Sequence, residues 1–331
     1  MDNATLIGIA SIFATAAPVI FAAIGETFSE RAGVINLSVN GTILLSAMAS
    51  FAVVVETQSL LLGFLAGALI GALVALVVAF SSISLKQSQV AVGFVLAMTC
   101  RDLAYFLGNS YTDKVGLRVP ATPIPGLQDI PVIGTLFFSH DLITYASYLL
   151  IILAAIYIFK TRAGLMLRGI GERPAAGYVR GANVNLQRYL YTMFGGALVG
   201  LAGPMYSLSI KSGWKGTLSG LDGIGWIALA ITIFGAWNPA RVAFGAYLFA
   251  FLQWFGLTLQ SSLPGVPQQV FQVAPFPLMI LTLVLVNIGN AEWVERALAG
   301  LPEKTRHAFM RFFRALRSSP PASLGVPFEK E

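Results

Sequence analysis

The sequence is poor in charge, in cysteine and in histidine, and each shortage closes a class of function. Only 11% of its 331 residues are Asp, Glu, Lys or Arg, against about 25% in a typical soluble domain. With 56% hydrophobic residues and a mean hydropathy of +0.76, a soluble fold would have more apolar surface than one core can bury. The excess must face lipid. The lone cysteine, Cys100, excludes a disulfide framework, and two histidines, His140 and His307, make no Cys/His metal site. No G-x-x-x-x-G-K-[ST] phosphate loop occurs, so the chain is not expected to hydrolyse ATP or to hold a cofactor of its own. H-E-x-x-H and G-x-S-x-G are missing too, and neither histidine lies in a long apolar run, which leaves a membrane protease or transferase without its base. The start, MDNATLIGIASIF, lacks the positive stretch of a cleaved signal peptide and reads as the beginning of a span.

What is present is a series of apolar runs. A helix needs about 20 mostly apolar residues to cross the hydrocarbon core. Runs at 4–25, 38–55, 60–80, 89–107, 141–160, 189–209, 222–237, 241–258 and 272–289 predict an all-α, polytopic membrane helix bundle of about nine transmembrane helices over residues 1–290. The seventh run is short and Gly-rich, so it is expected to be tilted, broken or partly re-entrant.

Lys and Arg collect on the cytoplasmic side of membrane proteins, so the net charge of +6 argues for orientation and not for a nucleic-acid partner. With the N-terminus outside and nine alternating spans, the inner segments hold Arg31, Lys86, the basic residues of 160–188, Arg241 and those from Arg296 to Lys330. That is 16 of the 21 basic residues, against four outside (Lys114, Arg118, Lys211 and Lys215), with Arg101 inside a span. An even number of spans would put either the tail or the 160–188 loop on the wrong side. The expected setting is a membrane with a cytoplasmic C-terminus.

Small residues at four-residue spacing let membrane helices approach closely. Gly63, Gly67 and Gly71 line one face of the third span, and Gly196 and Gly200 repeat the spacing in the sixth. They predict packing seams. The outer loop 109–140 is long and carries Pro120, Pro123, Pro125 and Pro131, which suggests an ordered cap or short hairpin. Residues 291–331 form the cytoplasmic tail. Within it, 303–317 sets Phe309, Phe312, Phe313 and Leu316 against five basic residues, as an amphipathic helix on the lipid surface does. From Ser318 the composition predicts disorder.

Ionisable and polar groups at membrane depth are costly and point to function. Arg101 and Asp102 fall in the fourth run, about 100° apart on a helix, so they need not pair with each other. They either hold polar groups of a solute or anchor the outer interface, with Arg101 snorkelling. Phe94, Met98 and Tyr105 nearby offer a stacking surface or plain packing. The segment 25–41, GETFSERAGVINLSVNG, carries Glu26, Glu30, Arg31, Gly33, Asn36, Ser38, Asn40 and Gly41. Irregular polar backbone at membrane depth is tolerated where it lines protein or a cavity. If helical, the segment puts Asn36 and Asn40 on one face, suited to a polar solute; the other reading is a turn that caps the second span. A second Gly-rich stretch, 213–225, leads into the seventh run from the opposite side. Two such interrupted segments are the mark of an inverted-repeat transporter.

The loop 160–188 reads KTRAGLMLRGIGERPAAGYVRGANVNLQR. Pro174 suits a first helical turn and Gly181 the position past a helix end, predicting a short helix at about 174–180, a rigid peg for docking into another protein. Here the sequence resembles a known family. GERPAAGYVRGANV, preceded by TRAGLMLRGIG, is similar to the coupling loop of bacterial ABC-transporter permeases of the simple-sugar and nucleoside import group. GETFSERAGVINLSVNGTILLSAMASF, GALVGLAGPMYSL (196–208) and GWIALAITIFGAWNPARVAFGAYLF (225–249) resemble other signatures of that group, in order, over roughly 20–290.

The resemblance implies a non-catalytic permease for a small polar solute, with nucleosides first and riboflavin-like or sugar solutes behind. It implies three partners: an ATPase subunit that uses ATP and Mg, a second permease (identical or different), and an extracellular or periplasmic solute-binding lipoprotein. By it, Gly171, Glu172, Arg173, Pro174, Ala175, Ala176 and Gly181 map onto the loop that docks on the ATPase. The chain departs from the family in carrying Asn40-Gly41 where an acidic residue and Gly are usual, and Ser38 for a common Gly. The rival from another class is a secondary transporter acting alone. That reading needs a coupling-ion site, for which Asp102 is the only strong candidate in a span, with Asp222 and Glu26 near span ends.

Overall fold

A computed structural model describes residues 3–211, 213–263 and 320–329, with scattered positions between 265 and 281. Among the described residues there is no β-strand, and eight helices are long and apolar enough to cross a membrane. The predicted ninth span, 272–289, and the amphipathic segment 303–317 lie outside the described residues.

In chain order the helices are α1 (Asn3–Arg31), α2 (Val39–Thr57), α3 (Leu60–Ala79), α4 (Gln89–Gly108), α5 (Ile133–Phe137), α6 (Leu142–Lys160), α7 (Arg162–Glu172), α8 (Pro174–Val179), α9 (Val184–Met205), α10 (Ile224–Phe234) and α11 (Pro239–Ser262). Side-chain caps set several boundaries. Ser59, Ser88, Asp141, Thr161, Asn183 and Asn238 each accept a hydrogen bond from a first-turn amide, opening α3, α4, α6, α7, α9 and α11, which satisfies one of the donors a helix start leaves unpaired.

The structure corrects the sequence reading in three places. The first span does not end near residue 25: α1 runs on to Arg31, because Glu26 and Glu30 have partners inside the protein. Glu26 Oε1 accepts the Asn36 amide at 3.0 Å, and Glu30 Oε2 accepts the Trp237 indole N–H. The loop 160–188 holds a second helix, α7, whose buried Leu167 and Ile170 pack inward. And Asn36 lies before the helix that starts at Val39, so it shares no helical face with Asn40.

Helix α9 is the hub, packed on α1, α2 and α3. Its contact with α3 is glycine against glycine. A Cβ on Gly71 would sit 2.0 Å from the Gly196 carbonyl, and one on Gly200 2.2 Å from that of Gly67. The opposite face of α3 presents Leu61, Leu65, Leu69 and Leu73 outward, as a lipid-facing surface requires. On its α1 side, α9 brings the Gly195 carbonyl within 2.4 Å of a Cβ on Gly25. The loop before α6 does fold as a small hairpin: Thr122 and Ile124 donate to the His140 and Phe138 carbonyls, and Val119 ties it to Leu208 of α9's terminal π-turn.

Candidate solute pathway and coupling face

Residues 32–38 follow α1 without helical structure and lead into α2 from the face of the bundle that carries the 160–188 loop. A Gln89 side chain at the start of α4 accepts the Ile35 amide at 2.7 Å. Helix α2 then begins well inside the bundle, since a Cβ on Gly41 would meet the Ala97 carbonyl at 2.2 Å. Ala97 lies eight residues into α4, roughly 12 Å from its end at 1.5 Å per residue. From the opposite face, residues 213–223 lead into α10, which has only 11 residues, about 16 Å.

The two lead-ins meet at Asn40. Its Oδ1 accepts the amides of Gly223 (2.9 Å) and Gly225 (3.2 Å), and its Nδ2 donates to Asp222 Oδ1 at 2.7 Å. Gly223, the residue before α10, has no side chain with which to cap it. Asn40 supplies that cap from another helix. An amide side chain suits the position because it accepts toward the α10 amides and donates to a carboxylate at once; an aspartate would set two carboxylates side by side. Asn40→Leu is therefore expected to strip two amides of their acceptor, costing about 1–3 kcal/mol for the buried Gly225 amide and less for the partly buried one of Gly223. A thermal melt of the purified protein checks this, with Asn36→Leu as the comparison that leaves α10 capped.

Beside this junction lies a charged face. Arg101 Nε pairs with Asp102 Oδ1 at 2.9 Å, and Arg101 Nη1 lies 4.0 Å from Asp222 Oδ2. The helical spacing of the adjacent Arg101 and Asp102 does not require them to pair, and here they do. Asp102 and Asp222 are 66% and 44% exposed at their side chains. On the same stretch the Phe94 ring faces Trp226 of α10 at 6.2 Å, and Tyr105 faces Trp214 at 6.0 Å.

Of the eight residues expected on a solute pathway, Phe94, Met98, Arg101, Asp102 and Tyr105 come together along α4, with Asn40 beneath them. Asn36 and Ser38 do not join them. Both are buried, and the Asn36 side-chain Oδ1 accepts from the Ser38 amide (3.2 Å) and hydroxyl (2.5 Å), fixing the turn before α2. Asp222 and Trp226 are the members that sequence reasoning left out of the site. Their signal was the Gly-rich approach to α10, which marks backbone built for close contact.

At the loop face, α7 ends at Glu172 and α8 follows directly from Pro174. Ala175 and Ala176 are exposed, as are Glu172, Arg173 and Gly181, whereas Gly171 is buried against the Arg31 carbonyl. Gly181, at φ +87°, ends the turn after α8. No group of three or more His, Cys, Asp or Glu side chains able to hold a metal occurs among the described residues.

Comparison with known proteins relates the chain to transporter permeases. The chain is 36% identical over 294 residues to the guanosine ABC transporter permease protein NupQ of Bacillus subtilis (84% of this chain, 90% of the relative). It is 31% identical over 303 residues to the nucleoside ABC transporter permease protein NupC of Lactococcus lactis (87% and 94%). It is 35% identical over 246 residues to the putative glucose ABC transporter permease protein TsgC13 of Haloferax volcanii (73% and 74%). No solved structure matches it. A family model covers residues 8–283, nearly the whole bundle described above, and the chain belongs to that family, the branched-chain amino acid transport system / permease component.

Proposed function

We propose that this permease carries a nucleoside inward, powered by a separate ATPase subunit that docks on α7 and α8, with a second permease alongside and a solute-binding lipoprotein outside. The loop face is then cytoplasmic, in a bacterial inner membrane, in keeping with the distribution of Lys and Arg.

The observation that carries this reading is the exposed face of Arg101, Asp102 and Asp222 between the Phe94–Trp226 and Tyr105–Trp214 ring pairs. Charged side chains at this depth are too costly to leave against lipid, so a water-filled path or a second permease covers them. The face also has the chemistry of its proposed solute. Phe94 is exposed and Tyr105 and Trp226 are half-buried, with Trp214 buried behind Tyr105; flat rings stack on a nucleobase, and carboxylates accept hydrogen bonds from ribose hydroxyls. The relatives described as guanosine and nucleoside permeases support the same solute class.

The direct experiment is uptake of labelled guanosine by cells that express the whole importer. Substituting the phosphate-loop lysine of the partner ATPase is expected to reduce uptake to background. Undiminished uptake would overturn the ATP-driven reading in favour of a transporter acting alone, although of the carboxylates such a transporter needs, Asp102 and Asp222 are engaged by Arg101 and Asn40, and Glu26 by the Asn36 amide. The Haloferax relative described as a glucose permease supports a sugar as the second reading. Competition by glucose but not by nucleosides would decide for it.

A further inference from the structure

The composition from Ser318 onward, SSPPASLGVPFEKE, predicts disorder, and the structure differs: residues 320–329 lie seated across the loop face. Ser323 closes the end of α7. Its amide donates to the Gly171 carbonyl at 2.9 Å, and its hydroxyl lies 2.5 Å from the same oxygen and 3.3 Å from that of Ile170. These are carbonyls that a helix end leaves unpaired. The Ala322 amide donates to Glu172 Oε2 at 3.3 Å.

Further along, the Gly325 amide donates to the Gly33 carbonyl at 3.0 Å, just past α1. Phe328 packs on Tyr178 of α8 at 5.8 Å between ring centroids. Glu329 pairs with Lys86, in the turn before α4, at 2.5 Å. That hydrogen bond from Lys86 holds the Glu329 carboxyl below its usual range.

The anchor beneath the segment is Arg188 of α9. Its guanidinium is buried and donates to the Val326 carbonyl at 2.8 Å and to Ser323 Oγ at 3.2 Å. A buried arginine is costly unless its donors are met, and here the tail meets two of them, Nη1 and Nη2, while Nε has no partner among the described residues. Ten residues thus touch α7, α8, the end of α1, the start of α9 and the turn before α4.

We propose that residues 320–329 are a positioning strap, held by Arg188, that fixes the α7–α8 pair to the spanning helices so that movement imposed on α7 and α8 reaches α1 and α9. The inference rests on the ATP-driven reading above, and its measure is the ATP hydrolysed per solute imported. The complete importer is reconstituted in proteoliposomes with its binding protein. Arg188→Ala is expected to raise ATP spent per solute by about tenfold, since two charge-assisted hydrogen bonds hold the strap in place. A chain ending at Ser319 should do the same. Arg188→Lys, which keeps one charged donor, should restore part of the coupling. An unchanged ratio in both Arg188→Ala and the shortened chain would overturn the proposal, as would equal loss of hydrolysis and uptake.

A second variant tests whether the strap stays seated. The one native cysteine, Cys100, is buried, so Lys86→Cys with Glu329→Cys introduces the only accessible pair. Crosslinking it is expected to leave transport at the rate of the reduced form. Transport lost on oxidation and regained on reduction would show a latch that must release, and would also overturn the fixed strap. An importer whose wild type takes up solute without consuming ATP fails the earlier reading instead, before any strap variant is compared.

Discussion

Gly71→Leu is expected to leave almost no correctly assembled permease in the membrane. The position faces the Gly196 carbonyl so closely that a single added carbon would lie 2.0 Å from it, with the Gly200 backbone at 2.6 Å. Nothing at the contact is the movable end of a side chain, so α3 and α9 must separate. Overpacking a core costs about 1–3 kcal/mol when neighbouring side chains can shift; here two backbones must move, and the loss should exceed that range. Gel filtration of detergent-solubilised protein is the measurement, with aggregation or loss of the folded peak expected. Leu69→Ala, two residues away on the outward face, is the control and should elute normally. A normal profile for Gly71→Leu would mean that the helices do not meet at their glycines.

Ala176→Trp is expected to abolish uptake while the permease still binds its external lipoprotein. Ala176 is exposed on α8, so the substitution adds bulk at the surface, and its expected effect falls on whatever docks there. The fold therefore survives, and only the junction with the ATPase is lost. Uptake assays paired with pull-down of the binding lipoprotein separate the two effects. Normal uptake by Ala176→Trp would remove α8 from the docking surface, while joint loss of uptake and lipoprotein binding would point to a general defect.

Much of the bundle was legible because its signals are local. Apolar runs placed the spans, glycine spacing marked the α3–α9 seam, and Pro174 with Gly181 bracketed α8 to within a residue. Helix α7 was missed although Thr161 stood ready as its cap, because Gly164, Gly169 and Gly171 dilute the apolar pattern. What stayed hidden depends on contacts remote in sequence. Asn40 reads as one more polar residue in a turn until Gly223 and Gly225, more than 180 residues later, bring their amides to it. The carboxylates of α1 count against a span until Asn36 and Trp237 are seen to meet them. The segment 320–329 is too poor in hydrophobic residues to order itself. Its order comes from backbone bonds to Gly33 and Gly171 and from the buried guanidinium of Arg188, none of which its own composition reveals.

The short α10 has an electrical consequence. A hydrocarbon core is about 30 Å thick, and an 11-residue helix accounts for roughly half of that. Where polar lead-in backbone takes the place of hydrocarbon on either side of Asn40, the membrane voltage falls over the remaining distance, and the local field is correspondingly steeper. An ion crossing there would meet the full voltage over about 16 Å instead of about 30 Å, at about 2.3 kcal/mol per elementary charge for each 100 mV. Under the proposed function the solute is an uncharged nucleoside, which moves no charge through that field, so the resting potential of the cell neither helps nor hinders its passage and the direction of transport falls to the proposed ATPase.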